Sequence, residues 1–350
     1  MLNLRIVRGP LADAEEETIL QDFNRLTNSA IEQTDFRHWI RDAPDGPAWH
    51  AILETDDSRV VGHFCLIPLR FRDQAKTECA ARTEYFFVHE DFRREKVRGF
   101  ESSFMPGGLL LLDRLYRHCR DNGWQPLIVS ASEEIQRLHQ AVGCRAADFA
   151  LTECLFILRP FDAARRTPNL TVKQRLAVFL AGAAQRGRWW VRSLFRYSPG
   201  GVKFTTVDSI CVHPTKNQIA FFEDKPSLAW RYPNEDYVTV SRERDPHQYV
   251  IAKHGSDERY LRVCQWDLGE AGDPEWFILA LVQQAKREKA LGVRWSVYGD
   301  RPDLGLRAAM RKFGFVQMPR NRRLLFYTSD ELFLKPEAWN FTDSFFCFDL

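Results

Sequence analysis

The segment from Thr83 to Leu115, TEYFFVHEDFRREKVRGFESSFMPGGLLLLDRL, constrains the fold of this chain most tightly. Its first part is an apolar run that reads as a buried strand ending at Val88. A basic loop follows, then Gly107-Gly108, then the leucines of a helix from Leu109 to Arg120. A strand that passes through a loop into a helix sets the helix N-terminus beside the strand's end. Backbone N–H groups and cationic side chains meet there, the combination a nucleotide pyrophosphate requires.

The flanking pattern supplies the rest of a unit. Leu2 to Val7 alternates as a strand; Asp13 to Leu26 and Asp35 to Ile40 read as helices, the first with acids in its opening turn. Trp49 to Glu54 and Arg59 to Phe71 read as paired strands, and Glu78 to Val88 as the next. After the leucine helix come a short strand, Pro126 to Ser130, a helix from Glu133 to Val142 stopped by Gly143, and a strand or strand pair over Phe149 to Leu158. A helix between the fourth and fifth strands demands a parallel crossover.

The same order returns later. Val202 to Val212 reads as a strand and Asn217 to Trp230 as partly helical. Tyr237 to Arg242, Gln248 to Lys253 and Arg259 to Trp266 are strands; Pro274 to Ala290 is a helix. Val293 to Tyr298, then the helix Leu304 to Phe313 ended by Gly314, then Leu324 to Thr328 close the run. This is an internal duplication of fold with little sequence identity. The tail from Trp339 to Asp349 alternates aromatic and polar residues and reads as a last docked strand.

Length and composition agree with two units. A chain of 350 residues is too long for one ordinary core, and 45% hydrophobic with 27% charged residues suits a globular protein. The net charge of +2 selects no partner. The eight cysteines never stand closer than ten residues apart, which excludes C-x-x-C zinc or redox motifs, and no metal is expected. They sit in apolar runs, as buried thiols of a reducing compartment do. With an acid-rich N-terminal segment and no long apolar run, the expected location is cytoplasmic.

Three stretches resemble motifs of the GNAT acyltransferase superfamily, arranged as a tandem pair. Val88-His-Glu-Asp-Phe-Arg-Arg94 resembles a strand end followed by V-x-P-x-x-R-G. Gly107-Gly108 with Leu109 to Leu112 resembles the glycine loop that opens the next helix, and Leu138-His139-Gln-Ala-Val-Gly143 resembles L-Y-x-x-x-G. The resemblance implies an α/β (α+β) fold of two GNAT-like domains, each a mixed, mostly antiparallel sheet flanked by helices. The expected division is residues 1–160 for an acyl-CoA-binding domain, 161–203 for a basic linker helix and 204–350 for a degenerate copy.

The resemblance also implies a reaction: acetyl-CoA, or another acyl-CoA, bound between the fourth and fifth strands, and acyl transfer to an amine. The acceptor it suggests is a small molecule or a sugar or envelope precursor. Phe86, Phe87 and Val88 would give a strand edge to the pantetheine amides. Gly107, Gly108 and Leu109 would give N–H groups to the pyrophosphate, and Arg93 and Arg94 positive charge. On the same strand, Glu84 would be the general base that an ammonium acceptor needs, or else the ion-pair partner of Arg82 or Lys76. His139 stands where the family places a tyrosine acid, and is read either as that acid or as a buried structural residue. The sequence departs from the family in two ways: about a dozen residues separate Arg94 from Gly107, with Pro106 beside the glycines, and only Ser130 or Ser132 stands where the family has Asn after the fifth strand.

The second copy lacks the donor motif, because Gln265 to Pro274 carries three acids and no Lys or Arg. Between the copies, residues 161–203 hold nine Lys/Arg against one acid, Asp162. Val172, Leu176, Phe179, Ala183, Trp190 and Leu194 recur there at helical spacing. The preferred reading is a stripe packed between the domains; the other is a weak contact of the 171–196 helix with an anionic membrane surface. Nucleic acid is the least expected partner. Two other functions share the fold: an aminoacyl-tRNA-dependent peptidyltransferase of the Fem type, and a binding module without catalysis.

Overall fold

The computed structural model describes residues 1–73, 76–100, 105–130, 133–147, 151–167, 170–194, 202–205, 220–221, 224–233, 236–243, 245–255, 259–268, 273–298, 305–320 and 323–335. The tail strand expected over 339–349 and the position of Ser132 lie outside them.

The first unit runs β1 (Asn3–Arg8), α1 (Asp13–Thr27), α2 (Gln33–Arg41), β2 (Trp49–Glu54), β3 (Val60–Asp73), β4 (Lys76–Val88), α3 (Gly107–Asp121), β5 (Trp124–Ser130), α4 (Glu133–Ala141) and β6 (Arg145–Ala146). Next come β7 (Leu151–Ile157), α5 (Pro160–Arg166) and α6 (Val172–Leu194). The second unit holds β8 (Val202–Thr205), β9 (Ala220–Phe221), α7 (Lys225–Arg231), β10 (Tyr237–Arg242), β11 (Asp245–Lys253), β12 (Leu261–Asp267), α8 (Pro274–Arg287), β13 (Gly292–Tyr298), α9 (Leu306–Phe313), β14 (Val316–Arg320) and β15 (Arg323–Phe326).

Two mixed sheets result. The first has the order β1-β2-β3-β4-β5-β15-β6, with β9 added beside β3; the second has β14-β7-β13-β12-β11-β10-β8. The parallel pairing expected from the crossover helix is β4 with β5 in the first sheet, and β12 with β13 in the second. With the second order read in reverse, the two correspond strand for strand, which is the duplication seen in the sequence.

One connection departs from the expected division. The strand that closes the first unit in sequence, β7, lies in the second sheet between β13 and β14. In return β15 lies in the first sheet between β5 and β6. The units have exchanged their penultimate strands, so residues 1–160 do not contain a whole sheet.

Each face of the first sheet carries its own core. Ile19, Leu20, Phe36 and Ile40 of α1 and α2 cover one side with Ile52, Cys65 and Ile67 beneath. Leu111, Leu112 and Leu115 of α3 cover the other, over Leu53, Phe64 and Leu66. Each such leucine contributes about 2 kcal/mol through burial. The four consecutive leucines serve this face and the sides of α3 together, and they fix the helix N-terminus against the end of β4. A third core, built on Phe277, Ile278, Leu281 and Trp295, fills the second unit.

Candidate functional site

The site begins with a defect in β4. Opposite Phe64 of β3 the strand carries an extra residue, so that Cys65 pairs with Glu84 and His63 with Phe87. Tyr85 takes up the bulge with φ of 51°, a left-handed conformation that only strong local packing holds for a bulky residue. Its buried ring is locked edge-on between Phe23 at 5.3 Å and Phe36 at 4.7 Å. Pairing of β4 with β5 stops just before the bulge, covering only Cys79 to Arg82 against Trp124 to Leu127. From Thr83 to Val88 the edge of β4 that faces away from β3 has no strand partner among the described residues.

The N-terminus of α3 stands at the end of this open edge. Pro106 is the residue before the helix and provides no side-chain cap. The proline therefore removes no donor from the first turn. The Gly107 N–H is engaged by the Glu95 carbonyl at 3.2 Å, and a Cβ on Gly107 would lie 3.2 Å from that same oxygen. Gly107 is thus a packing glycine, and Gly108 and Leu109 carry the free amides of the turn. The long insert is anchored as well: Leu2 and Val97 form a parallel bridge, with the Leu2 N–H donating to the Lys96 carbonyl at 3.0 Å.

A cavity of about 590 Å³ occupies the place where these features meet. Its walls are Phe86, Phe87 and Val88 of β4, Pro106, Gly108 and Leu109 at the start of α3, Glu134, Ile135, Arg137 and Leu138 of α4, Leu26 and Thr27 of α1, and Arg93. Six of the ten residues selected from the sequence are there. Arg93 lies across the strand end, its Nε donating to the Val88 carbonyl at 3.3 Å. Arg94 and Gly107 are not on the wall, and Arg98 turns away to Asp56 at 2.8 Å. Sequence reasoning missed Arg137, the second cation of the wall. It immediately precedes the Leu138-His139 motif, which was the available signal.

Neither expected catalytic group lies on the cavity wall. Glu84 is withdrawn beside the bulge and paired with Arg82 at 2.5 Å. Burial pushes its carboxyl pKa up from the usual range, and the Arg82 guanidinium opposes that shift. His139 is buried, with Nδ1 2.7 Å from the Tyr116 hydroxyl, and burial holds its pKa at about 4. The ring packs against Phe86, at 6.5 Å between centroids, behind the wall that Phe86 forms. His89, the residue after Val88, ties the strand end to α1 through Asp22 at 2.9 Å.

The second unit shows the contrast. Its corresponding helix, α8, is capped by its own Asp273, whose carboxylate accepts from the Glu275 and Trp276 N–H groups at 3.1 and 3.3 Å. The helix terminus is already satisfied by an anion of the chain itself. Among the described residues no three His, Cys, Asp or Glu side chains converge as a metal centre requires.

No protein-family model and no curated protein matches the sequence. Solved structures do. The chain is similar over 93% of its length to an Enterococcus faecalis V583 protein described as a probable N-acyltransferase, at TM-score 0.56 and 9% identity over 72% of that chain. The chain has the fold of GNAT acetyltransferases. A GCN5-related N-acetyltransferase from Kribbella flavida aligns with 93% of it at TM-score 0.51 and 13% identity, covering 71% of that chain. A putative acetyltransferase from Pyrococcus horikoshii aligns with 97% at TM-score 0.50 and 12% identity, covering 92% of that chain. In GNAT terms the cavity lies where the fourth and fifth strands part, and the chain carries two such units in tandem.

Proposed function

We propose that the chain is an acyl-CoA-dependent N-acyltransferase whose working site is the cavity of the first unit, with a small amine as acceptor. The observation that carries this reading is the conjunction at one cavity of an open strand edge, an uncapped helix N-terminus and two arginines. The amides of Gly108 and Leu109 with Arg93 and Arg137 would hold a pyrophosphate, and the free edge of Thr83 to Val88 would pair with an extended diamide. Acyl-CoA, acetyl-CoA in the simplest case, would supply an acyl group already activated as a thioester.

The chain's own residues do the rest. Glu84, set back from the cavity wall, takes through a bridging water the proton that an ammonium acceptor must lose before it can attack. Burial raises its pKa and so makes it a stronger base than an exposed carboxylate, while the Arg82 guanidinium favours its ionised form. A backbone N–H on the free edge near Val88 faces developing negative charge at the acyl oxygen. His139, neutral and bonded to Tyr116, supports Phe86 and the α4 wall.

Release of free thiol from acetyl-CoA with a panel of primary amines tests the reading. The wild-type chain is expected to turn over at least one amine, and Glu84→Gln to lower kcat by about 100-fold with the KM for acetyl-CoA unchanged. Activity should fall as pH drops through the raised pKa of Glu84. Unchanged kcat in the variant would remove Glu84 from the reaction.

A further inference from the structure

The face of α6 that the sequence marks as apolar is not the face that packs. Gly182, Gln185 and Trp189 are buried and hold the helix on the second unit. Gln185 bridges the Ile157 N–H at 2.8 Å and the Leu155 carbonyl at 2.9 Å, and the Trp189 ring meets Phe156 at 5.6 Å. On a helix of 3.6 residues per turn the other apolar side chains lie roughly opposite that stripe. They are in solvent: Val172 is 83% exposed, Leu176 57%, Leu180 56% and Trp190 64%. The expected packing of this stripe between the domains is therefore not what the helix does, because glycine and glutamine on the other side fit the strand closer.

Charge accompanies this bare apolar face. Exposed Lys173, Arg175, Arg186 and Arg188 flank it, and no acid occurs from Val172 to Leu194. At its C-terminal end a cavity of about 490 Å³ is lined by Gly187, Arg188, Val191, Arg311 and Lys312. Lys312 also reaches Glu275 at 2.5 Å, whereas Arg188 and Arg311 have no carboxylate partner among the described residues. Gly187 and Val191 belong to the apolar face too, so the cationic cavity opens directly beside it.

We propose that this face docks on an anionic phospholipid bilayer. The apolar side chains enter the boundary between headgroups and acyl chains, and a headgroup phosphate sits among Arg188, Arg311 and Lys312. A nucleic acid would use the cations but leave the apolar stripe in water. A second copy would cover the stripe but oppose like charges across the two-fold axis. Among the described residues no helix is long and apolar enough to cross a membrane, so the contact is interfacial.

Co-sedimentation of the full chain with vesicles decides it. Binding is expected to vesicles containing phosphatidylglycerol and to be at least ten-fold weaker with phosphatidylcholine alone. Arg188→Ala with Arg311→Ala should weaken it about 30-fold, roughly five-fold per cation. Leu176→Ser with Leu180→Ser should weaken it as well, and Trp190 should give a blue-shifted emission lost in Trp190→Phe. All these side chains are exposed, so thermal melting should be unchanged in each variant. Absence of binding, or equal binding to both vesicles, would overturn the proposal. So would inorganic phosphate binding at Arg188 and Arg311 without vesicle binding, equally tight binding of a DNA oligomer, or a stable dimer dispersed by Leu176→Glu.

Discussion

The chemistry of single buried residues sets how this protein responds to pH. His63 donates from Nδ1 to the Tyr85 carbonyl at 3.0 Å, since that oxygen can only accept. Its Nε2 is then the acceptor for His50 Nδ1–H, also at 3.0 Å, and both rings are neutral. Burial holds His63 at about 4 and His50 below its usual value, and His139 is also held at about 4. In the unfolded chain each would titrate near 6.5. Between those limits the unfolded state binds more protons, so stability is full above pH 6.5 and falls as pH drops toward 4. His139→Gln should reduce the slope of unfolding free energy against pH there by about 1.4 kcal/mol per unit, one proton's worth, in urea titrations. At this scale the sequence was legible only where partners are close along the chain. Arg82 two residues from Glu84 was foreseeable; Tyr116, which reaches His139 from another helix, was not.

At the scale of elements, the order of strands and helices could be read from periodicity, but the partner of each strand could not. Strand β7 is buried on both faces, as the neighbouring residues Phe156 and Ile157 show, so no alternation distinguishes one sheet from the other. Its contact with β13 is very close: a Cβ on Gly292 would stand 1.9 Å from the Phe156 carbonyl oxygen. Gly292→Ala should therefore separate these strands at a cost of roughly 3 kcal/mol or more, seen as a lowered Tm. An unchanged Tm would mean that this pairing is looser than described. The helix α3 was legible down to its first turn, from two glycines before four leucines. That Gly107 spends its N–H on Glu95 was hidden, because the insert carrying Glu95 has no pattern that fixes its path.

For the whole molecule, the exchange of β7 and β15 makes the two units one folding problem. Residues 1–160 expressed alone would lack the strand between β5 and β6 and leave β7 without neighbours. That fragment is expected to aggregate, while the full chain melts in a single transition; a soluble, folded fragment would contradict the exchange. The duplication also divides the labour, since one copy leaves its helix terminus open and the other closes it with Asp273. Calorimetric titration of acetyl-CoA into the full chain tests this most directly. The account predicts one saturable site per chain, weakened at least ten-fold in Gly108→Glu, where a Cβ would meet Val88 only at an ordinary 3.5 Å and the fold is kept. No heat with the wild type, two sites per chain, or undiminished affinity in the variant would contradict it.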